Sequence, residues 1–107
     1  MIYKFKSKAA GDLIMTAPVG DRMLLAMGRE PSPQGIFLIA DMPALIAALE
    51  KAIAAEETAV HEAAELARQE GRPAPKGPDI SMRQRAWPLI EMLKECHAAD
   101  REIVWGV

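Results

Sequence analysis

The chain has 107 residues, 50% of them hydrophobic and 26% charged, with a formal net charge of -2. That length suits one domain with a modest core, and the slight acidity argues against a nucleic-acid partner, whose binders carry a basic footprint. Cys96 is the sole cysteine, so no internal disulfide forms, and no run approaches the roughly 20 apolar residues that span a bilayer. A membrane-free, cytoplasmic protein is the expectation.

Residues 2–6 alternate, with Tyr3 and Phe5 on one face and Ile2, Lys4 and Lys6 on the other, which predicts a half-buried strand. The same alternation lacks the continuous apolar stretch of a signal peptide. Leu13, Ile14 and Met15 fit either a short strand or one helical turn, and Pro18-Val19-Gly20-Asp21 reads as a break. Met23, Leu24 and Met27 have helical spacing and Gly28 suits a helix terminus, which predicts a short helix over 21–27. Pro31-Ser32-Pro33-Gln34-Gly35 is a turn, and Ile36-Phe37-Leu38-Ile39 follows as an unbroken apolar run. Such a run predicts a strand covered on both faces, at the centre of the sheet.

The longest element is predicted over 41–70. Asp41 is placed to accept from the free amides of the first turn, and Pro43 lies where a missing N–H costs nothing. Leu45, Ile46, Leu49 and Ile53 form one apolar face that thins to alanine, with only Val60 and Leu66 as larger apolar residues beyond. The front half therefore belongs in the core, and the back half bends, frays or projects. Gly71 ends the helix, and Pro73, Pro75 and Pro78 make residues 71–80 a semi-rigid, exposed connector. Ser81-Met82-Arg83-Gln84 matches a capping box. Pro88 sits deep in the next helix and predicts a kink or a second start, with Leu89, Ile90, Met92, Leu93 and Cys96 as the apolar stripe. Ile103, Trp105 and Val107 alternate as a last strand.

These elements predict an α+β fold. A small three-stranded sheet, near residues 2–6, 35–39 and 103–106, carries two longer helices and a short one, mainly on one face. Phe5, Ile36, Leu38, Leu45, Leu49, Leu93 and Trp105 are the expected core.

Several separated blocks resemble a known family. They are Met1 to Met15, the Gly35-Ile36 strand leading to Met42-Pro43-Ala44, Arg83-Gln84-Arg85-Ala86-Trp87-Pro88-Leu89, and Val104-Trp105-Gly106-Val107. Together they are similar to a family of small bacterial proteins catalogued as domain of unknown function 1840. The resemblance implies a small, single-domain cytoplasmic protein and carries no activity, substrate or catalytic residue.

Candidate chemistry is sparse. Glu57, His61 and Glu65 stack on one helix face at four-residue spacing, as metal ligands can. Without further ligands on another element they read as a solvated face. Met92 and Cys96 offer soft sulfur for copper, but they fall on the apolar stripe, and His97 beside Cys96 points about 100° away from it. No metal or cofactor is expected. The glycines form no phosphate-cradling pattern, and no serine stands in a nucleophile elbow.

Charge is segregated: Lys4, Lys6 and Lys8 open the chain, six glutamates dominate the long helix, and Arg72, Lys76, Arg83 and Arg85 are opposed by Asp79 alone. Such faces ordinarily pair within a fold. The segment around Arg83, Arg85 and Trp87 is the candidate contact for a partner, because guanidinium and indole groups dominate interface energetics. Its structural alternative places Trp87 in the core and both arginines against the glutamates. The function predicted is a non-enzymatic interaction or accessory module, with a protein partner or a second copy as occupant. The competing class is a small-ligand or metal-binding protein with a pocket between sheet and helices.

Overall fold

Alternation decides the first strand. In the computed structural model, which describes residues 2–77 and 80–107, β1 (Ile2–Phe5) buries Tyr3 and Phe5 and exposes Ile2 and Lys4. Met1 and the connector residues Pro78 and Asp79 lie outside the described residues. β1 pairs antiparallel with β2 (Leu13–Thr16), setting Ile2 against Thr16 and Phe5 against Leu13, so the ambiguous Leu13–Met15 segment is strand. β3 (Gly35–Phe37) pairs antiparallel with β4 (Ile103–Trp105), Gly35 opposite Trp105.

The described residues thus form two two-stranded sheets, in place of the single three-stranded sheet expected. The ribbons meet at one bridge, where the Lys6 amide donates to the Val104 carbonyl at 2.8 Å and the Val104 amide returns to Lys6 at 2.9 Å. Beyond it the chain turns away at Ser7, whose hydroxyl accepts from the Ala9 amide at 3.3 Å, so the ladder cannot continue.

Aromatic packing unites what hydrogen bonding does not. Tyr3 and Phe5 stack at 5.9 Å, Phe5 and Phe37 at 5.7 Å, and Phe37 meets Trp105 at 4.7 Å between ring centres. Two glycines make room for this stack. A Cβ at Gly20 would lie 2.0 Å from a Tyr3 ring carbon, and one at Gly35 would lie 2.3 Å from the Trp105 ring.

The expected burial of Ile36 and Leu38 is overturned: they are 36% and 46% exposed, while Phe37 between them is 0% exposed. β3 has only β4 beside it and packs on one face, so its apolar run obeys the pleat and not its composition. Arg29 tightens this edge. Its guanidinium lies 5.1 Å from the Phe37 ring centre and donates to the Ile36 carbonyl at 2.7 Å.

α1 (Ala17–Ala26) begins before the expected 21–27, with Pro18 in its first turn and Gly20 buried inside it. The supposed break is a helix start. Gly28, at φ 79°, ends it as expected: the Arg29 amide donates to Leu24 and the Gly28 amide to Leu25.

α2 (Met42–Gln69) is entered through a 3-10 turn at Ile39–Asp41. Asp41 does not cap it. That residue is already helical and makes no capping hydrogen bond, and its carboxylate instead lies 3.6 Å from Arg29. Met42, Leu45, Leu49 and Ile53 are buried, while residues 57–63 are exposed, so the back half projects. The molecule measures 53 × 28 × 22 Å with a radius of gyration of 16.0 Å, against about 13 Å for a compact chain of this size.

The projecting half is not bare. Ala67 is 1% exposed although it stands outside the main core, its carbonyl takes the Arg72 amide at 2.8 Å, and Gly77 comes beside Val60. The described part of the connector, as far as Gly77, therefore returns along the helix it has just left. α3 (Met82–Ala98) starts with both halves of the Ser81–Gln84 capping box and runs through Pro88 as one helix, without a second start. It buries Ala86, Leu89, Ile90, Leu93 and Cys96 and packs chiefly against α2.

Candidate functional site

The beginning of α3 is tied to the middle of α2 by charge. Arg83 grips Glu57 with two contacts, Nε to Oε2 at 3.1 Å and Nη2 to Oε1 at 2.8 Å. The hydrogen bonds from Arg83 hold the Glu57 carboxyl below its ordinary range, and the same bonds raise Arg83. One residue earlier, the Met82 amide donates to Glu56 at 2.6 Å, and Arg22 of α1 stands 3.9 Å from the other Glu56 oxygen. These contacts set where α3 lies along α2.

One turn on, Trp87 projects outward at 52% exposure. Among the described residues, every other aromatic ring belongs to the core stack. Its position follows from helix geometry. The buried stripe of α3 passes through Ala86, Leu89, Ile90 and Leu93, which leaves Trp87 on the flank with Arg83 and Lys94. A groove of about 280 Å³ runs between this flank and α2, lined by Glu50, Ile53, Arg83, Trp87, Ile90 and Lys94. Ile53 and Ile90, at 4% and 2% exposure, form its apolar floor, and the charged side chains form its rim. The groove thus joins an exposed indole, an apolar floor and a rim that carries both charge signs.

Arg85 does not join this group. It stands two residues from both Arg83 and Trp87, on the other side of the helix, half-buried, and its Nε is enclosed without a hydrogen-bond partner. The structural alternative is thus met at Arg83 alone: Trp87 is outside the core, and no glutamate of α2 takes Arg85 among the described residues. Glu50, Ile53 and Lys94 escaped sequence reasoning. Lys94 was legible, seven residues after Trp87 and so on its face; the α2 residues depend on how two helices register, which spacing does not encode.

The other candidates separate. Glu57 is committed to Arg83, and Glu65 to Arg68 at 2.8 Å, while His61 is exposed. Cys96 and Met92 are core residues at 0% and 4% exposure, and His97 points to solvent. Among the described residues no group of three or more His, Cys, Asp or Glu side chains is placed to hold a metal ion. A second, more open cleft of about 450 Å³ lies where the two ribbons diverge, lined by Lys6, Ser7, Lys8, Asp12, Arg101 and Glu102 among others. It is formed by loops and strand ends and not, as expected for a ligand site, between sheet and helices. No helix among the described residues is long and apolar enough to cross a membrane.

No curated protein and no solved structure gives a match to this chain. A family model does, over residues 1–105, which takes in the β-ribbons, all three helices and the Trp87 groove. The chain belongs to the family described as domain of unknown function DUF1840.

Proposed function

We propose that this protein is a non-enzymatic interaction module that docks a protein partner in the Trp87 groove. The observation that carries this reading is the half-exposed indole over an apolar floor, in a chain that packs its other aromatic rings together. The partner's chemistry follows from the lining. An apolar side chain fits against Trp87, Ile53 and Ile90, and a carboxylate beside it meets Lys94, which makes no ion pair among the described residues. Arg83 is already engaged by Glu57, so it braces the groove wall more than it attracts. A cytoplasmic setting goes with this reading, supported by a single, buried thiol.

The test is a photo-crosslinking residue placed at position 50 on the groove rim, with Trp87 kept. It should join one protein specifically from the source cell, and an equivalent residue at exposed Ala98 should not. Equal labelling from both positions would end the proposal. The open cleft at Lys6 and Arg101 favours a second reading, a small-ligand binder, on the strength of its size alone. A ligand screen whose hits lose binding in Arg101→Ala would support that reading.

A further inference from the structure

We propose that two copies of this chain associate antiparallel along the outer face of α2, each seating Leu66 in a trough of the other. The trough, about 430 Å³, lies where the end of α1 meets α2 and is lined chiefly by Met27, Gly28, Ala48, Lys51, Ala52 and Ala55. On the same helix Leu66 projects at 52% exposure with nothing from the core against it.

Ala52, Ala59 and Leu66 recur at seven-residue intervals, two helical turns each, so hole and knob share one face. They lie on the order of 21 Å apart along the axis. A two-fold axis at Ala59 superposes each Leu66 on the other copy's Ala52, so a single operation fills both troughs and covers both leucines. That is the self-complementarity an isologous contact requires. Ala55, Ala59 and Ala63, all exposed, leave the backbones free to approach between these two points.

Charge selects the direction. Lys51 flanks the trough, and Glu62 and Glu65, the latter also paired with Arg68, flank the leucine end. Antiparallel copies bring Lys51 toward the other copy's glutamates. Parallel copies set lysine against lysine and glutamate against glutamate. Among the described connector residues, Gly77 comes beside Val60, on another side of the helix from this face. The Trp87 groove is also separate, opening at Glu50 and Ile53 toward α3, so this inference stands independently of that docking site.

Sedimentation equilibrium should give a mass near twice the 11.7 kDa of the chain, falling to that of the chain on dilution. Leu66→Glu should weaken association at least tenfold and leave the circular dichroism unchanged. Oxidation of single-cysteine-addition variants then reads the geometry, because Cys96 is 0% exposed and silent. Ala59→Cys should cross-link to itself, whereas Leu66→Cys and the oppositely directed Ala54→Cys should not. A wild-type chain that stays monomeric up to about 1 mM, the weak end of specific association, would overturn the proposal. So would a Leu66→Glu variant as dimeric as the parent, or self-cross-linking of Leu66→Cys.

Discussion

Replacing Gly20 by alanine sets local propensity against tertiary contact. Inside a helix, alanine is better than glycine by about 1 kcal/mol, so propensity alone predicts a more stable protein. The structure predicts the reverse. The new Cβ would stand 2.0, 2.6 and 2.7 Å from three Tyr3 ring carbons, where ordinary contact needs about 3.5–4.0 Å. Tyr3 is 2% exposed, stacked on Phe5, and donates its hydroxyl to Asp21, so the ring cannot retreat without losing both contacts. Overpacking costs about 1–3 kcal/mol and a lost hydrogen bond to a carboxylate about 1.5–3 kcal/mol. After the propensity gain, a net loss of about 1.5–5 kcal/mol remains.

Urea unfolding measures that loss, and a second readout identifies its cause. Burial, and then the Asp21 carboxylate, push the Tyr3 phenol from 10.0 up to about 12, with the Ser32 backbone pulling weakly the other way. Tyr3 is the chain's one tyrosine, so phenolate absorbance reports it directly. A pKa raised in the folded state favours folding below about 10, and that contribution disappears as pH rises through about 12. In Gly20→Ala the titration should move back toward 10. A variant stabilised by about 1 kcal/mol, with its phenol titrating as in the parent, would refute the reasoning.

Leu49→Ala should cost about 2–5 kcal/mol, whereas Leu38→Ala on the uncovered side of the β3 edge should cost less than about 1 kcal/mol; chemical denaturation separates the two. Arg83→Ala frees a Glu57 carboxyl that the guanidinium holds below its ordinary range. The variant's deficit in melting temperature should therefore be present at neutral pH, vanish as pH falls through the carboxylate range, and shrink in high salt. In dilute protein, amides of residues 57–65 should exchange with deuterium faster than those of 46–53, because only the front of α2 is anchored by Leu45, Leu49 and Ile53. Uniform protection would show the projecting half to be packed.

What was legible in the sequence was whatever depends on near neighbours. The alternation of Tyr3 and Phe5, the Gly28 and Gly71 helix ends, the Ser81–Gln84 capping box and the extent of α2 all rest on contacts within a few residues. The failures are long-range. Gly20 reads as a breaker until the Tyr3 ring is set against it. Ile36-Phe37-Leu38 carries no alternation, so only tertiary packing could say that Phe37 alone points inward. Asp41 was displaced from capping by a preceding 3-10 turn and by Arg29. At the candidate site, the value of Arg83 and Trp87 was visible, but grouping them with Arg85 ignored that residues two apart face opposite ways on a helix.

The docking claim meets its most direct test in the affinity of Trp87→Ala for the partner joined at position 50, measured beside its melting temperature. An indole already 52% exposed contributes little to folding, so the melting temperature should stay within about 2 °C of the parent. A buried aromatic anchor of an interface is worth at least about 2 kcal/mol, or roughly 30-fold in Kd, and binding should fall by that much. Unchanged affinity, or a collapse in melting temperature that makes Trp87 a structural residue, would contradict the account.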